Sequence, residues 1–261
     1  MLRRWLLLLS LAALTGAGAL GSSATVGAAP AQKTPKLRVL VTNDDGVAAA
    51  GIDVLVEALR ELRRVKVTVV APAENQSGKG DATTPGVLSA TDTTTASGFR
   101  ATAVAGTPAD SVLYGLEDVV TKEPHLVVSG INEGQNLGPA LDISGTVGAA
   151  LTAAREGIPA LAASQGLGDE PDYPEAAELA IDWVKEHRKR LVRGRVDPDE
   201  IANLNVPTCA TGEVRGLVEV PPLTTGELLP PSDCESTLED PPDDVVAFSN
   251  GFATLSEIPA E

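Results

Sequence analysis

The sequence predicts an α/β protein with a doubly wound, mostly parallel sheet and a C-terminal β-appendage. Three observations lead to this prediction. Short apolar runs of strand length alternate with amphipathic runs of helical spacing from residue 37 to residue 207. Hydrophobic residues make up 43% of the 261 residues and aromatic residues only 3%, so the core must consist of Ala, Val, Leu and Ile. Beyond residue 207 the alternation stops, and Pro and acidic residues dominate.

The first strand–helix–strand unit follows from hydrophobic spacing. Residues 37–42 form a short apolar run, which predicts a buried strand. Residues 51–64 carry apolar side chains at helical spacing and end in basic residues, which predicts a helix. Residues 65–71 predict a second strand. A helical connection between two strands of one sheet makes them parallel.

The middle of the chain predicts a hairpin, a helix and a buried strand. A turn-rich loop at 73–86 leads into Thr-rich residues 87–105, which are broken at Ser97-Gly98 and predict a hairpin. Thr107 and Pro108 are the residue types preferred just before a helix and at its first position, so a helix should follow them. Residues 125–129 are apolar and predict a strand.

The remaining elements continue the alternation and complete the doubly wound pattern. We expect a long Gly- and Asn-rich loop at 130–145. After it come a helix, a strand, a second helix and a last strand, at 146–156, 160–164, 174–193 and 201–206. We therefore take residues 37–207 as the α/β core. Residues 208–261 are interpreted as a C-terminal extension that could serve oligomerisation, with a strand or hairpin at 245–255.

The N-terminus has the pattern of a secretory signal peptide over residues 1–29. Arg3 and Arg4 precede an apolar stretch, and small residues follow it, with Ala28 and Ala29 as plausible cleavage points. An uncleaved anchor is the alternative, because the apolar run is close to the shortest membrane span. Residues 30–36 are interpreted as a processed tether. The sequence thus predicts an exported protein without a stable membrane span after processing.

The cysteine content and the net charge bear on disulfide formation and on the class of molecule that the protein binds. Cys209 and Cys234 are the two cysteines, and export would allow them to form a disulfide; two free thiols are the alternative. A formal charge of −16 argues against a nucleic acid polymer as partner, because clustered Lys and Arg hold phosphate backbones. A small phosphoester substrate is still allowed, because a bound cation changes the local field.

Polar loops at the predicted strand ends suggest a metal site, since ligands of open α/β sheets bind outside the carboxyl ends of the strands. Asp44 and Asp45 follow the first strand, and two adjacent carboxylates repel unless a cation or proton lies between them. Mg²⁺ prefers six oxygen ligands, which Asp44, Asp45, Ser77 and Asn132 would supply together with two further positions for water or substrate. The alternative is that Asp44 caps the next helix and Asp45 is solvated.

A second feature, Ser144-Gly145-Thr146, precedes a predicted helix. Free N–H groups at a helix N-terminus suit a phosphate, although plain N-capping by Ser144 or Thr146 is the better interpretation of this motif taken alone. The same caution applies to Thr107 and Asp110.

Residue types and motifs that are missing exclude other phosphatase and nucleotide-binding sites. The chain has two His, so His-rich metal sites are excluded. It also lacks a G-x-S-x-G elbow, and no G-x-G-x-x-G loop or Walker A loop follows a predicted strand. Among the kinds of site considered, the sequence therefore favours a metal site built from carboxylate and amide oxygens.

Six ordered motifs between residues 37 and 207 resemble those of the SurE family of survival-protein nucleotidases. They lie at 41–52, 70–78, 106–110, 127–138, 144–147 and 205–207. The resemblance implies a Rossmann-like fold and hydrolysis of 5′- and 3′-nucleoside monophosphates with one Mg²⁺ or Mn²⁺ per subunit. It also implies a homodimer or higher homo-oligomer.

The resemblance also implies roles for the residues at the predicted strand ends and before the predicted helix at 146–156. It implies metal ligation by Asp44, Asp45, Ser77 and Asn132, and phosphate contacts by Asn136 and Ser144 with Gly145 and Thr146 beside them. In the expected mechanism the metal polarises the phosphoryl oxygens and supplies a water, which Asp44 or Asp45 orients or deprotonates.

Three features depart from the family pattern. Lys79-Gly80-Asp81 replaces a Ser/Asn-rich run, residues 208–244 form a shorter segment, and a signal peptide is unusual. Lys79 either contacts phosphate or is solvated.

Three alternative functions are kept. They are a broad acid-phosphatase-like enzyme, a polyphosphate-cleaving enzyme and a non-catalytic metal- or nucleotide-binding homologue. A receiver-type signalling domain is disfavoured, because Ser129 and Asn132 occupy the strand end where its phosphate-accepting Asp would lie.

Overall fold

A nine-stranded sheet forms the centre of this computed structural model, which describes residues 35–223, 225–226 and 229–261. The strands are β1 (Leu37–Thr42), β2 (Val65–Pro72), β3 (Ala90–Thr94), β4 (Arg100–Val104), β5 (Leu126–Glu133), β6 (Ala160–Gln165), β7 (Glu200–Val206), β8 (Leu217–Glu219) and β9 (Ala253–Pro259). The helices are α1 (Ala50–Glu61), α2 (Pro108–Tyr114), α3 (Gly145–Arg155), α4 (Tyr173–Leu191) and α5 (Asp244–Ser249). A π-helical turn (Gly115–Val119) extends α2, and a 3₁₀ turn (Gly138–Asp142) precedes α3.

The strand order is β3-β4-β2-β1-β5-β6-β7-β9-β8, and the predicted α/β class is confirmed. Neighbouring strands are parallel except in the pairs β3–β4 and β7–β9. The predicted hairpin at 87–105 is the antiparallel pair β3–β4. From β1 the chain first adds strands on one side and later, at β5, on the other. The crevice between the carboxyl ends of β1 and β5 is therefore where a doubly wound sheet binds its ligands.

Helices cover both faces of the sheet and enclose two aliphatic cores. On one face, Leu55 of α1 and Val184 of α4 pack with Val41 and Leu204 of the strands. On the other face, Val112 of α2 and Val147 of α3 belong to a second cluster that is rich in alanine. Few aromatic residues are needed, because small side chains allow helices to lie close to the sheet. Gly51 shows this at the start of α1, where a Cβ atom would collide with the carbonyl oxygen of Ile131.

Strand β5 is longer than predicted. Residues 130–133 were expected to open a loop, and this prediction is wrong, because Asn132 and Glu133 pair with Ser164 and Gln165 of β6. The register shifts between Ser129 and Asn132, and Gly130 lies there with a φ of 132°. Glycine accepts this backbone conformation, so a residue that looks like a loop former here interrupts the strand without ending it.

The C-terminal extension returns to the sheet. Strand β9 pairs antiparallel with β7, and β8 pairs parallel with β9 at the sheet edge. The strand or hairpin expected at 245–255 is wrong for its first half, because Asp244–Ser249 is helix α5. Asp243 caps this helix by accepting a hydrogen bond from the backbone N–H of Val246 at 2.8 Å. A short apolar run fits a helix or a strand equally well, and the cap decides between them.

Cys209 and Cys234 are joined by a disulfide, with their Cα atoms 5.7 Å apart. This bond ties the chain after β7 to the segment before α5. The predicted signal peptide at 1–29 lies outside the described residues, as does the predicted tether at 30–36 except for its last two positions. Within the described part of the chain, no helix combines the length and the apolar character needed to cross a membrane.

Candidate functional site

Asp44 and Asp45 lie directly after β1, at the crevice between β1 and β5. The side-chain amide of Asn43 donates to the carbonyl oxygen of Gly46 at 2.9 Å and closes the turn that carries both carboxylates. Gly46 has a φ of 103°, which a glycine adopts without strain. Asp44 is only 3% exposed, whereas Asp45 is half-buried. The turn therefore places one buried carboxylate beside one that solvent can reach.

The start of helix α3 contacts the Asp44 carboxylate. The Thr146 hydroxyl donates to Asp44 Oδ1 at 2.6 Å. A Cβ atom on Gly145 would come within 2.9 Å of Asp44 Oδ2, so glycine is what allows this close approach. Ser144 accepts a hydrogen bond from Val147 N at 3.0 Å, as the N-capping interpretation expects. Asp44, a predicted metal ligand, thus lies against Gly145 and Thr146, two of the residues predicted beside the phosphate.

Loops after β2 and β5 complete this arrangement. The backbone N–H of Gln76 donates to the Asp44 carbonyl oxygen at 2.7 Å, and the Asn75 side chain donates to Asp45 Oδ1 at 3.4 Å. Ser77 follows these two residues on the loop. On the β5 side, the backbone N–H of Glu133 donates to Asp45 Oδ2 at 3.0 Å.

Asn132, the residue before Glu133, donates its amide N–H to the carbonyl oxygen of Gly134 at 2.6 Å. This orientation leaves its Oδ1 as the atom that can accept or ligate. Asp44 and Asp45 therefore contact the loops after β2 and β5 directly. Ser77 and Asn132 each lie one residue from such a contact, beside Gln76 and Glu133.

The electrostatics of the carboxylate pair favour a bound cation. Burial raises the pKa of Asp44, and the hydrogen bond from Thr146 only partly offsets this. Burial and, next, the charge of Asp44 raise the pKa of Asp45 to about 7. At neutral pH the two groups cannot both ionise cheaply unless a positive charge lies between them.

The donor set fits a hard divalent cation. The candidate ligand atoms are carboxylate, hydroxyl and amide oxygens, with no imidazole or thiolate among them, which is the set that Mg²⁺ and Mn²⁺ prefer. Asp44, Asp45, Ser77 and Asn132 would hold such an ion beside the N-terminus of α3.

Asn136 is held by a buried amide network that the sequence analysis did not assign. Its backbone N–H donates to Asn205 Oδ1 at 2.6 Å, and its carbonyl oxygen accepts from Asn203 Nδ2 at 3.0 Å and Asn205 Nδ2 at 3.1 Å. Its own side-chain amide donates to Ser164 Oγ at 2.9 Å. Asn203 and Asn205 lie two residues apart in β7, on one face of the sheet, and the residues between and beside them from Ile201 to Val206 are apolar. Two asparagines at this spacing in a predicted buried strand were the sequence feature that could have indicated a buried hydrogen-bond network.

We expect Asn205→Ala to destabilise the fold more than Asn203→Ala. Asn205 makes two hydrogen bonds to the backbone of Asn136, whereas Asn203 makes one. Asn205→Ala leaves the buried Asn136 N–H without a partner and removes one of two donors to its carbonyl oxygen, which should cost about 2–4 kcal/mol. Asn203→Ala removes only the other donor and should cost about half of that. Urea unfolding followed by circular dichroism measures the difference. Equal loss in the two variants would contradict the network as described.

The C-terminal extension clamps the loop that carries Asn136. The buried Asp244 carboxylate accepts hydrogen bonds from the backbone N–H groups of Leu223 at 2.7 Å, Val245 at 2.8 Å and Gly138 at 3.3 Å. The Gln135 side chain donates to the carbonyl oxygen of Pro230 at 2.8 Å. No local pattern pointed to the contacts of Gly138 and Gln135, because their partners are 106 and 95 residues away. The extension therefore forms part of the rim of the site.

The remaining predicted candidates serve structure. Thr107 and Asp110 form a reciprocal capping box at the start of α2, with hydrogen bonds of 3.1 and 2.8 Å. His125 lies before β5 and accepts a hydrogen bond from Arg38 N at 3.0 Å. His187 stacks on Trp183 in α4.

Comparison with known proteins identifies relatives of this chain. The profile of the family described as "Survival protein SurE" matches residues 39–225. A protein named 5′-nucleotidase SurE from Pelobacter propionicus is 42% identical over 194 residues, which cover 72% of this chain and 71% of the relative. A protein named 5′/3′-nucleotidase SurE from Yersinia pseudotuberculosis is 38% identical over 181 residues, which cover 69% and 67%. The crystal structure of SurE protein from Aquifex aeolicus matches with a TM-score of 0.70 and 30% identity, over 86% of this chain and 94% of that one.

Proposed function

The chain belongs to the SurE family, and from this premise we propose that it is a metal-dependent nucleotidase that hydrolyses nucleoside 5′- and 3′-monophosphates to nucleoside and phosphate. The names of its relatives support the substrate class. The observation that carries the proposal is the contact between the Asp44 carboxylate and the start of α3. It brings the candidate cation ligands and the N–H groups suited to a phosphate to one point.

Each group of the site has a distinct task in this proposal. Asp44, Asp45, Ser77 and Asn132 would hold one Mg²⁺ or Mn²⁺, which when bound polarises the phosphoryl oxygens and lowers the pKa of water. The N-terminus of α3, where the N–H groups of Gly145 and Thr146 lie against the Asp44 carboxylate, would stabilise the charge that develops on the phosphoryl group. The buried amide network positions Asn136 to orient the phosphate.

The hydrolysis balances with water as the nucleophile. Its oxygen forms a bond to phosphorus as the bond from phosphorus to the ester oxygen breaks, and the nucleoside oxygen ends with a proton. Asp45 is the better placed of the two carboxylates to accept the proton of the water, since it is half-buried whereas Asp44 is enclosed by Thr146 and Gly145. No covalent phosphoenzyme is needed.

A substrate panel tests the proposed function. Phosphate release should be measured with several nucleoside 5′- and 3′-monophosphates, an aryl phosphate and inorganic polyphosphate, in the presence of Mn²⁺. We expect nucleotides to be turned over with the highest kcat/KM. Faster turnover of the aryl phosphate would indicate a broad phosphatase, and faster turnover of polyphosphate would indicate a polyphosphatase. Release from none of them would leave a binding protein.

We expect the affinity for Mn²⁺ to rise with pH. Because the pKa of Asp45 is about 7 without a cation, the ion must displace a proton at lower pH. The apparent affinity should thus increase up to about tenfold per pH unit below 7 and level off above it. Isothermal titration calorimetry at pH 6, 7 and 8 measures this, and an affinity that does not change with pH would contradict the coupling.

Stability of the metal-free protein should follow the opposite trend. A carboxyl group whose pKa is raised from 3.8 to about 7 on folding favours the folded state when protonated. That stabilisation is lost as the pH rises from about 4 through 7. Saturating Mn²⁺ should restore it above pH 7, which thermal melting curves with and without the ion would show.

Export and self-association complete the proposal. The predicted signal peptide and the disulfide between Cys209 and Cys234 support an exported protein. N-terminal sequencing of the secreted protein tests this, and an intact N-terminus would refute cleavage. We also propose that the chain forms a homodimer or a higher homo-oligomer, with the C-terminal extension in the interface. Light scattering on the mature protein tests this, and a monomer would refute it.

A further inference from the structure

Lys79 is a basic residue at an otherwise acidic edge of the sheet. The loops after β1, β2, β4, β5 and β6, all described in full, contain no other Lys or Arg. The same loops carry Asp44 and Asp45 as well as Glu74 and Asp142. A lone positive charge among these acidic groups is the one local side chain that attracts an anion.

The backbone around Lys79 is anchored beside the start of α3. The N–H of Gly80 donates to the carbonyl oxygen of Ile143 at 3.1 Å, and the N–H of Ala82 donates to the carbonyl oxygen of Lys79 itself at 3.1 Å. A Cβ atom on Gly148 would collide with the backbone of Gly80, so the loop lies against the helix. Lys79 is therefore held close to the N-terminus of α3 and two residues after Ser77.

The ammonium group of Lys79 is available for a ligand. Four ion pairs occur in the described part of the chain, and Lys79 takes part in none of them; they are Arg60–Glu57, Arg100–Asp92, Arg155–Asp81 and Lys185–Asp182. Its neighbour Asp81 is engaged by Arg155 at 2.6 Å. The Lys79 side chain is exposed to solvent.

Arg215, on the C-terminal extension, is a second basic residue, but its side chain already has partners. Its guanidinium lies over the Phe252 ring, 4.2 Å from the centroid, and donates to the carbonyl oxygens of Asn250 and Leu238. Arg215 is thus engaged in structural contacts.

We propose that the Lys79 ammonium contacts the phosphoryl oxygens of the substrate and stabilises their charge during hydrolysis. The inference rests on the proposed function. A phosphomonoester is largely dianionic at neutral pH. Because a divalent cation would balance the charges of Asp44 and Asp45, the two charges of the phosphate would still need partners. The helix N-terminus supplies part of that potential, and Lys79 supplies a full charge.

Two substitutions at position 79 and one elsewhere form a matched set. Lys79→Met removes the charge and keeps the length of the side chain, whereas Lys79→Arg keeps the charge. Lys122→Met is the control, because Lys122 is also exposed and lies before β5, at the opposite end of the strand. We expect kcat/KM for a nucleoside monophosphate to fall about ten- to a hundredfold in Lys79→Met, since solvent screening makes this contact weaker than a buried one. Lys79→Arg should retain most activity, and Lys122→Met should stay within about twofold.

Inhibition by inorganic phosphate provides a second readout in the presence of Mn²⁺. The inhibition constant should rise in Lys79→Met and not in Lys122→Met, and Mn²⁺ affinity should not weaken in either. Unchanged kcat/KM and unchanged phosphate inhibition in Lys79→Met would overturn the inference. An equal loss in Lys79→Arg and Lys79→Met would also overturn it, because charge would then not be the cause.

These measurements distinguish a failure of the Lys79 inference from a failure of the proposed function. Failure of the wild-type protein to turn over any nucleotide would count against the function. Direct binding of inorganic phosphate, measured by calorimetry, would still test the role of Lys79 in that case. Phosphate binding that is equally tight in the wild type and in Lys79→Met would overturn the role.

Discussion

Asp44→Asn should lower nucleotide turnover by about a thousandfold or more while the fold stays intact. The substitution keeps the shape of the side chain, and its Oδ1 can still accept the hydrogen bond from Thr146. It removes one of the two charges that would hold the cation, so both Mn²⁺ binding and stabilisation of the phosphoryl charge are lost. Steady-state phosphate release and calorimetric Mn²⁺ titration measure the two effects.

A nearby carboxylate provides the control for Asp44→Asn. Asp142 ends the 3₁₀ turn before α3, is exposed, and undergoes the same change in charge in Asp142→Asn. We expect its turnover within about threefold of wild type, because screened surface charges contribute little. Since burial raises the pKa of Asp44, metal-free Asp44→Asn should melt no lower than the metal-free wild type at pH 8. Wild-type turnover in Asp44→Asn would refute the metal site.

Gly148→Ala should also lower activity strongly. A Cβ atom at this position of α3 would collide with the carbonyl group of Gly80 and would come within 2.5 Å of Asp81 N. The loop that carries Ser77 and Lys79 would have to move away from the helix. A displacement of about 1 Å at a catalytic group can cost a hundredfold in rate, so we expect a loss of about ten- to a hundredfold in kcat/KM.

The free energy of unfolding shows whether Gly148→Ala displaces the loop or unfolds the protein. Alanine is favoured over glycine in a helix by about 1 kcal/mol, which partly offsets the cost of overpacking. The change in the free energy of unfolding should therefore be small while activity falls. Asp81→Asn is the control, because it removes only the exposed ion pair between this loop and Arg155 and keeps the packing of Gly148 on Gly80; it should leave turnover nearly unchanged. Full activity in Gly148→Ala would contradict the packing.

Much of the core fold could be predicted because its signals are local. The strand at 37–42, the amphipathic helix after Gly51 and the next strand form a unit whose hydrophobic spacing is visible within residues 37–72. The position of Asp44 and Asp45 at a strand end followed from the same pattern, together with the rule that ligands bind at carboxyl ends. The polar loops at neighbouring strand ends suggested Ser77 and Asn132 as further ligands, and the SurE-like motifs suggested a phosphate contact for Asn136.

The rest depended on contacts between distant parts of the chain. Strand β5 continues past Gly130 because β6, some thirty residues later, pairs with it. The role of Asn205 comes from a partner 69 residues away, and that of Asp244 from Gly138, 106 residues away. The apolar run at the start of α5 fits two structures, and the Asp243 cap selects the helix. Such pairings leave no periodic pattern in one sequence.

The central claim is that the carboxylate pair after β1 holds the cation that nucleotide hydrolysis requires. Phosphate release from adenosine 5′-monophosphate tests it most directly, measured on the purified protein in excess chelator and then during titration with Mn²⁺. We expect no turnover in chelator and full recovery at one bound ion per chain, with Asp44→Asn showing no recovery. Turnover that persists in chelator, or that Mn²⁺ restores equally in Asp44→Asn, would contradict this account.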